Sequence, residues 1–391
     1  MKLVILTSRF PYPLEKGDKL RIYHQIRELS QRHEIVLCSL FEEEVDEASL
    51  REMRQYCHRI ELFSLSRWGL PFRLLRALGT ELPLQTAWFY RSAIKRKIHK
   101  IIAEEKAEHV YCQLLRMAPY VEGYTGPATL DYMDCFSVQI ERQAEASKWG
   151  RGVLRWEAKK LAKYERLLAD RFAHHSIISE QDRAHLPIPN RERVAVVPNG
   201  VEVDYFKPLE GYTATYDLVF VGNLGYFPNV RAAVWLVKEI MPLIWAQRPE
   251  AKLLLAGARP TKEIQRLGED PRIKVSGWLA DIREAYAQGQ IFIAPLKTGS
   301  GQQNKILEAL SMARPCVTTS LVNNAIGAIA GEEIRLGDSS EELAAVVLDL
   351  LANPADANEM GQKGRAKVLK SFSWARSIEA LECLWEQKEK E

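Results

Sequence analysis

The 391-residue chain is 47% apolar and 27% charged with a formal net charge of +3, a make-up that leaves room for two cores and excludes a disordered or low-complexity polymer. So balanced a charge asks for no nucleic-acid partner, and the six cysteines, scattered without a Cys-x-x-Cys or a neighbouring histidine pair, indicate neither a disulfide framework nor a zinc site. Cysteines scattered in this way fit a reducing cytoplasm best; no apolar run reaches membrane-spanning length, and the short apolar opening, followed by Arg9, reads as a first strand rather than a signal peptide.

Residues 2–7 read as a buried strand, followed by a loop through Gly17 and Asp18 and a helix over about 19–29. Further strands are expected at 35–40, 60–65, 109–113 and 128–131, separated by helical stretches long enough for parallel crossovers, so the first half reads as doubly wound. An amphipathic helix over 153–172 precedes strands at 175–179 and 194–197. The alternation then restarts: strands at 217–221, 252–256, 273–275, 291–294, 316–319 and 334–336, with helices at 230–245, near Lys262 and from Asp281. Helices at 340–351, 354–370 and 375–388 finish the chain. The expected organisation is an N-terminal domain over 1–190, a turn-rich linker region over 191–216, a C-terminal domain over 217–373, and a last helix over 374–391 packing back toward the N-terminal domain.

Residues 297–315 carry the clearest local chemistry. A strand ends, Gly299-Ser300-Gly301 turns the chain, and a helix follows whose apolar positions are Ile306, Leu307, Leu310 and Met312. Free amides and the positive end of a helix dipole favour an anion there. Lys305 and Glu308 stand three residues apart on one face, a lysine suited to phosphate and a carboxylate suited to sugar hydroxyls. An ordinary strand, turn and helix with a surface Lys and Glu fits the local pattern equally well.

Two doubly wound halves, Gly17 in the loop after the first strand, Pro198-Asn199-Gly200-Val201 at the linker, Phe220-Val221-Gly222-Asn223-Leu224, and Lys305 with Leu307-Glu308-Ala309 together resemble the retaining family-4 glycosyltransferases of GT-B fold, over nearly the whole chain. Residues 220–229 are similar to a subgroup found with bacterial exopolysaccharide and exosortase systems. The resemblance implies an α/β architecture of two Rossmann-like parallel-sheet domains facing across a cleft. It implies a nucleotide-sugar donor, UDP- or GDP-linked, on the C-terminal domain, an acceptor on the N-terminal domain and no tightly bound cofactor. Glu308 matches the last glutamate of the family's Glu-x7-Glu motif and would hold the ribose hydroxyls, with Lys305 on the diphosphate. Ser300 stands where the first glutamate is usual, so donor contacts are expected from Ser300, Gly301, Gln302, Gln303 and Asn304. Asn223 stands where many relatives carry an arginine, and Lys305, the amides at the start of its helix and the Gly17 loop are expected to compensate. Trp278 and Leu279 follow a strand where relatives contact the base, although Trp278 could equally be packing.

In the N-terminal half, Asp131 matches the strand end where many relatives place a cleft histidine, and a carboxylate there can accept the proton of an acceptor hydroxyl. Asp134 is the alternative, helix capping is open for both, and Gln113 and Arg116 fall on the same acceptor side, although solvent exposure accounts for these two equally well. His24, His174 and His175 have no triad or metal partners in the pattern, and without an Asp-x-Asp no metal is invoked. The run from Arg67 through Trp68, Phe72 and Arg73 to Arg76, followed by Arg91, Lys95, Arg96, Lys97 and Lys100, suits an anionic membrane surface or, equally, a solvated helix face. The resulting expectation is a retaining transferase, cytoplasmic or peripheral on the inner face of the plasma membrane, moving a sugar to a lipid-linked or oligosaccharide acceptor in surface polysaccharide biosynthesis. The competing expectation is a degenerate relative that binds a nucleotide sugar or a partner transferase without turnover. A nicotinamide oxidoreductase is disfavoured, because neither half carries Gly-x-Gly-x-x-Gly with its acidic partner.

Overall fold

A computed structural model describes residues 1–65, 70–147, 149–298 and 302–386. The chain forms two compact units, one of Met1–Pro198 together with the C-terminal segment from Trp374, the other Asn199–Ser373.

The first unit is built on seven parallel strands: β1 (Lys2–Thr7), β2 (Glu34–Phe41), β3 (Arg59–Ser64), β4 (His109–Gln113), β5 (Ala128–Asp131), β6 (His174–Ile177) and β7 (Ala195–Val196). Their order is β3-β2-β1-β4-β5-β6-β7, so the winding reverses between β1 and β4. β1, β2, β4 and β5 are near-continuous apolar runs because helices cover both faces of the sheet. β6 stops at Ile177, two residues short of the expected end, because Ser179 caps the helix Glu180–His185, its Oγ accepting from the Asp182 amide.

The stretch expected as a linker divides between the units. Residues up to Pro198 stay with the first through β7, which pairs with β6, while Val201 bridges to Ser373 and joins the two ends of the second. The last helix, Trp374–Glu386, lies on the first unit. Ile378, Leu381 and Leu384 enter a core with Leu3, Ile5, Ile22 and Ile26, and Trp374 stacks on His24 at 4.7 Å. Burial of such side chains is the main term holding a terminal helix in place.

The second unit has six parallel strands: β8 (Tyr216–Val221), β9 (Leu253–Ala256), β10 (Ile273–Gly277), β11 (Gly289–Ala294), β12 (Cys316–Thr318) and β13 (Arg335–Leu336), in the order β10-β9-β8-β11-β12-β13. Its reversal lies between β8 and β11. The helix expected at 230–245 starts at Phe227, with Pro228 in its first turn, and passes through a π turn at Leu236–Ile240 before Met241–Trp245. The helix after β11 is Asn304–Ser311.

Candidate functional site

Ligands of open parallel sheets bind beyond the carboxyl ends of the strands, where the winding reverses. In the second unit that place lies after β8 and β11, and both Lys305 and Glu308 stand there on the helix Asn304–Ser311. Two glycines let the neighbouring backbone close around Lys305. A Cβ on Gly222, just after β8, would lie 2.8 Å from Asn229 Nδ2 and 3.3 Å from Lys305 Nζ. Gly257, just after β9, has φ 140°, and a Cβ there would fall 1.8 Å from the Gly222 carbonyl oxygen.

Lys305 Nζ donates to Asn229 Oδ1 and lies 5.2 Å from the centroid of the Phe220 ring. Asn229 is fixed in turn, its Nδ2 donating to the Asn223 carbonyl at 3.0 Å. Burial pushes the Lys305 ammonium down to about 8, against the pull of Glu308. Glu308 Oε2 accepts from the Tyr286 hydroxyl at 2.6 Å. Burial raises the Glu308 carboxyl, while Tyr286 and Lys305 oppose the rise. Among the described residues Lys305 has no salt bridge and Glu308 Oε1 has no hydrogen-bond donor. Two half-buried groups held by neutral partners are not an ordinary surface pair. They can take an anion and a pair of hydroxyls, respectively.

The other residues expected in this unit divide by what they touch. Gln302 is buried and its side chain clamps the Asn199 backbone, accepting from the amide at 2.9 Å and donating to the carbonyl at 3.0 Å. Asn304 Oδ1 accepts from Asn199 Nδ2 at 3.4 Å. Both side chains are therefore taken up in holding Asn199 against the helix start; for Asn304 this corrects its expected place among the donor contacts, while the contact expected of Gln302 was through its backbone amide. Gln303 precedes the helix with no side-chain cap, and Ser300 and Gly301 lie outside the described residues. Asn223 turns its Oδ1 onto the Gly225 amide at 3.0 Å, closing its own loop. Trp278 is 73% exposed beyond β10 and is not packed between strand and helix, whereas Leu279 packs against the core. In the first unit Gly17 opens the helix Gly17–Leu29 with nothing within 4 Å of a built Cβ.

Asp131 requires a correction. It is fully buried and paired with an equally buried Arg21, Nε to Oδ2 at 2.7 Å. Tyr111 donates to Oδ2 at 2.9 Å and Ser176 to Oδ1 at 3.1 Å. Its oxygens are committed to tying β5 to the helix Gly17–Leu29, so it has none for an acceptor hydroxyl. Asp134 is in a different setting. It is half-buried, forms no side-chain cap on the helix Phe136–Ala146, and is pushed up to about 7 by burial, with Asp182 and Asp131 adding to the rise and Arg21 opposing it. Gln113 is buried and donates to the Asp18 carbonyl at 2.7 Å, which makes it a brace between β4 and that first helix. Arg116 is 9% exposed. Of the histidines, His24 and His175 are buried and held neutral by desolvation.

Glu34, His58 and Glu105 form a cluster with metal-ligand spacing. Lys2 Nζ already fills it, 3.1 Å from Glu34 and 3.0 Å from Glu105, at the amino ends of the strands. The sequence reading missed Tyr286, Asn229 as the holder of Lys305, and Arg21. Arg21 and Gln25, four residues apart on the face that carries Ile22 and Ile26, were a legible sign of a buried polar pair.

Residues 215–353 match the model of a family described as glycosyl transferases group 1. The chain is 21% identical over 379 residues to an uncharacterized 44.6 kDa protein in the cps region of Klebsiella pneumoniae, spanning 92% of this chain and 93% of that one. Among solved structures, Alr3699/HepE of Anabaena in complex with UDP is similar over 99% of this chain and 100% of its own, with a TM-score of 0.71 at 15% identity. The same Anabaena protein has also been solved with UDP-glucose, with a TM-score of 0.68 at 16% identity over 98% of this chain and 99% of its own. Sucrose-phosphate synthase of Thermosynechococcus elongatus is similar over 99% of both chains, with a TM-score of 0.72 at 14% identity. These likenesses establish the fold, two Rossmann-like parallel-sheet units as in GT-B glycosyltransferases.

The two carboxylates of the first unit predict opposite behaviour. Asp131→Asn leaves a buried guanidinium without its counter-charge and is expected to cost on the order of 3 kcal/mol in urea unfolding. Asp134 has a folded-state pKa above its unfolded value, so it binds an extra proton when folded and its contribution to stability falls as pH rises from about 4 to about 7. Asp134→Asn is therefore expected to match or exceed the wild type in stability at pH 8. Equal losses in both variants would contradict this assignment.

Proposed function

We propose that this protein is a retaining glycosyltransferase that moves a sugar from a UDP- or GDP-sugar to a lipid-linked or oligosaccharide acceptor in bacterial surface polysaccharide assembly. The observation that carries the reading is Lys305 beside Glu308 at the β8/β11 reversal, a cation that among the described residues makes no salt bridge, three residues from a carboxylate with one oxygen uncommitted among them. The family match over 215–353, the UDP-bound structural relative and the cps-region relative support it.

In this reading Glu308 Oε1 accepts from the ribose hydroxyls, its orientation fixed by Tyr286 on Oε2. Lys305 meets the diphosphate. The bond between the anomeric carbon and the β-phosphate oxygen breaks while the acceptor hydroxyl oxygen bonds to the same face of that carbon, and the hydroxyl proton passes to the leaving phosphate oxygen. No protein nucleophile is needed. Lys305 offsets the charge that develops on the departing diphosphate, and its desolvated setting strengthens that interaction. No step is routed through a metal.

A second reading is a binding protein without turnover. Asn223 favours it, since the residue closes its own loop and offers no cation where many relatives carry one. Release of nucleoside diphosphate from a panel of nucleotide sugars and acceptors separates the two: turnover eliminates the second reading, and binding without any release eliminates the first.

Membrane attachment is part of the proposal. Among the described residues no helix is long and apolar enough to cross a membrane. The helix Leu70–Leu78, however, exposes Phe72, Leu75 and Leu78, at 72%, 66% and 52%. Lys160 joins it to the helix Arg151–Leu168, donating to the Ala77 carbonyl at 2.7 Å. That second helix adds exposed Val153, Arg151 and Lys159, the apolar and cationic residue types that an anionic lipid surface requires. Arg67, Trp68 and Gly69 lie outside the described residues, as do the side chains of Arg73 and Arg76. Farther along, Arg91 donates to the Trp88 and Tyr90 carbonyls and Lys95 pairs with Glu122, so these two are engaged by the fold, whereas Lys100, 3.5 Å from Glu104, stays 77% exposed.

Two measurements test these claims. Calorimetric titration with UDP is expected to show Glu308→Ala weakened by about 10- to 100-fold, the cost of about 1.5–3 kcal/mol for charged hydrogen bonds. The Lys305 ammonium is half lost near pH 8 in the free protein, so wild-type affinity should fall as pH rises from 7 to 9.5, by up to about tenfold per pH unit above pH 8. Lys305→Met should be weaker and flat over the same window; a wild type equally flat would remove Lys305 from the phosphate. Flotation with anionic vesicles should carry the wild type and lose Phe72→Ser/Leu75→Ser, and equal flotation of both would remove the membrane face.

A further inference from the structure

The first unit contains two buried arginines with opposite surroundings. Arg21 is neutralised by Asp131. Arg116, in the 3-10 turn Leu115–Tyr120 directly after β4, is 9% exposed and its guanidinium lies 4.9 Å from the centroid of the Phe89 ring and 5.4 Å from that of Phe136. Its Nε is buried without an acceptor, and among the described residues the guanidinium has no hydrogen bond or salt bridge. Aromatic faces attract a cation weakly and leave the planar donor edge unspent. A guanidinium so largely buried has lost part of its hydration and, among the described residues, gained no oxygen in return.

The charges that bear on Arg116 are Arg9, Asp18 and Glu42. Arg9 and Asp18 neutralise each other at 2.6 Å, and Glu42 is exposed and accepts from Trp88 Nε1. Burial pushes Arg116 down to about 10, so it remains a cation at neutral pH. Arg9 follows β1 and Arg116 follows β4, the two strands that flank the reversal of this sheet, and Gln113 stitches the end of β4 to the Asp18 carbonyl. Lys19, in the first turn of the helix Gly17–Leu29, adds a half-buried cation that makes no hydrogen bond among the described residues. Arg116 therefore follows one of the two strands at the reversal, where a doubly wound sheet receives its ligand, with its donor edge unpaired among the described residues.

We infer that Arg116 anchors an oxyanion subsite in the first unit that takes a phosphoryl group carried by the acceptor. The oxyanion chemistry follows from the unpaired planar donor edge, whose fork matches a pair of phosphoryl oxygens. Naming the acceptor as its bearer rests on the transferase reading. The other source of the same chemistry is the diphosphate of the donor.

The test is calorimetric titration of inorganic pyrophosphate into full-length protein saturated with UDP, so that the donor's own phosphate site is filled. The wild type is expected to bind. Arg116→Met should weaken binding at least about tenfold, Arg116→Lys should fall between the two, and the UDP affinity of Arg116→Met should stay within about twofold of wild type. Because the methionine relieves a buried unpaired charge, its unliganded thermal midpoint should equal or exceed that of the wild type. Unchanged pyrophosphate affinity in Arg116→Met, no binding to UDP-loaded wild type, or a lowered midpoint or unfolding of Arg116→Met would each overturn the subsite. A parallel loss of UDP affinity would assign Arg116 to the donor and overturn the acceptor claim. If UDP fails to bind the wild type at all, the transferase reading falls on its own, while Arg116-dependent binding of pyrophosphate still decides the subsite.

Discussion

Lys305 is an ammonium group drawn out of water and held by an amide oxygen instead of a carboxylate. Such a placement costs free energy, and the surroundings are arranged to enforce it. Gly257 lets the end of β9 approach the Gly222 carbonyl, Gly222 leaves space for Asn229 and Lys305, and Asn229 is itself tied to the Asn223 carbonyl. Phe220 and Tyr286 complete the setting, one beside the lysine and the other on Glu308. A cation with no direct salt bridge interacts more strongly with an incoming anion than one already paired, which is how buried charge is turned toward binding.

Much of the fold was legible because parallel strands covered on both faces are short apolar runs. β1, β4 and β5 stand at their expected residues, and β2 differs by one residue at each end. Boundaries failed where local capping or proline chemistry intervened, as at Ser179 and Pro228. At the candidate site the spacing of Lys305 and Glu308 on one helix was readable. The use of Gln302 as a clamp on Asn199 was not, since it depends on residues about a hundred positions apart in the chain. Asp131 illustrates the same limit. A carboxylate at a strand end looks the same in sequence whether it meets a ligand or an arginine, and only the tertiary pairing with Arg21 separates them.

Arg21 and Arg116 show how one unit assigns different work to the same side chain. The first is closed by a carboxylate, a tyrosine and a serine into a network that fixes β5 against a helix. The second lies between two aromatic rings with its donor edge unspent. Closed networks rigidify, and open ones bind. The same contrast runs through the second unit, where Gln302 is fully engaged while Lys305 and Glu308 each keep a capacity in reserve.

The central claim is that the Lys305 and Glu308 end of the β11 helix holds the nucleotide, and a crystal structure with UDP tests it most directly. The account predicts a phosphate oxygen within about 3 Å of Lys305 Nζ and the ribose hydroxyls on Glu308 Oε1, with Tyr286 still bonded to Oε2. UDP seated elsewhere, with Lys305 still bonded only to Asn229, would contradict it.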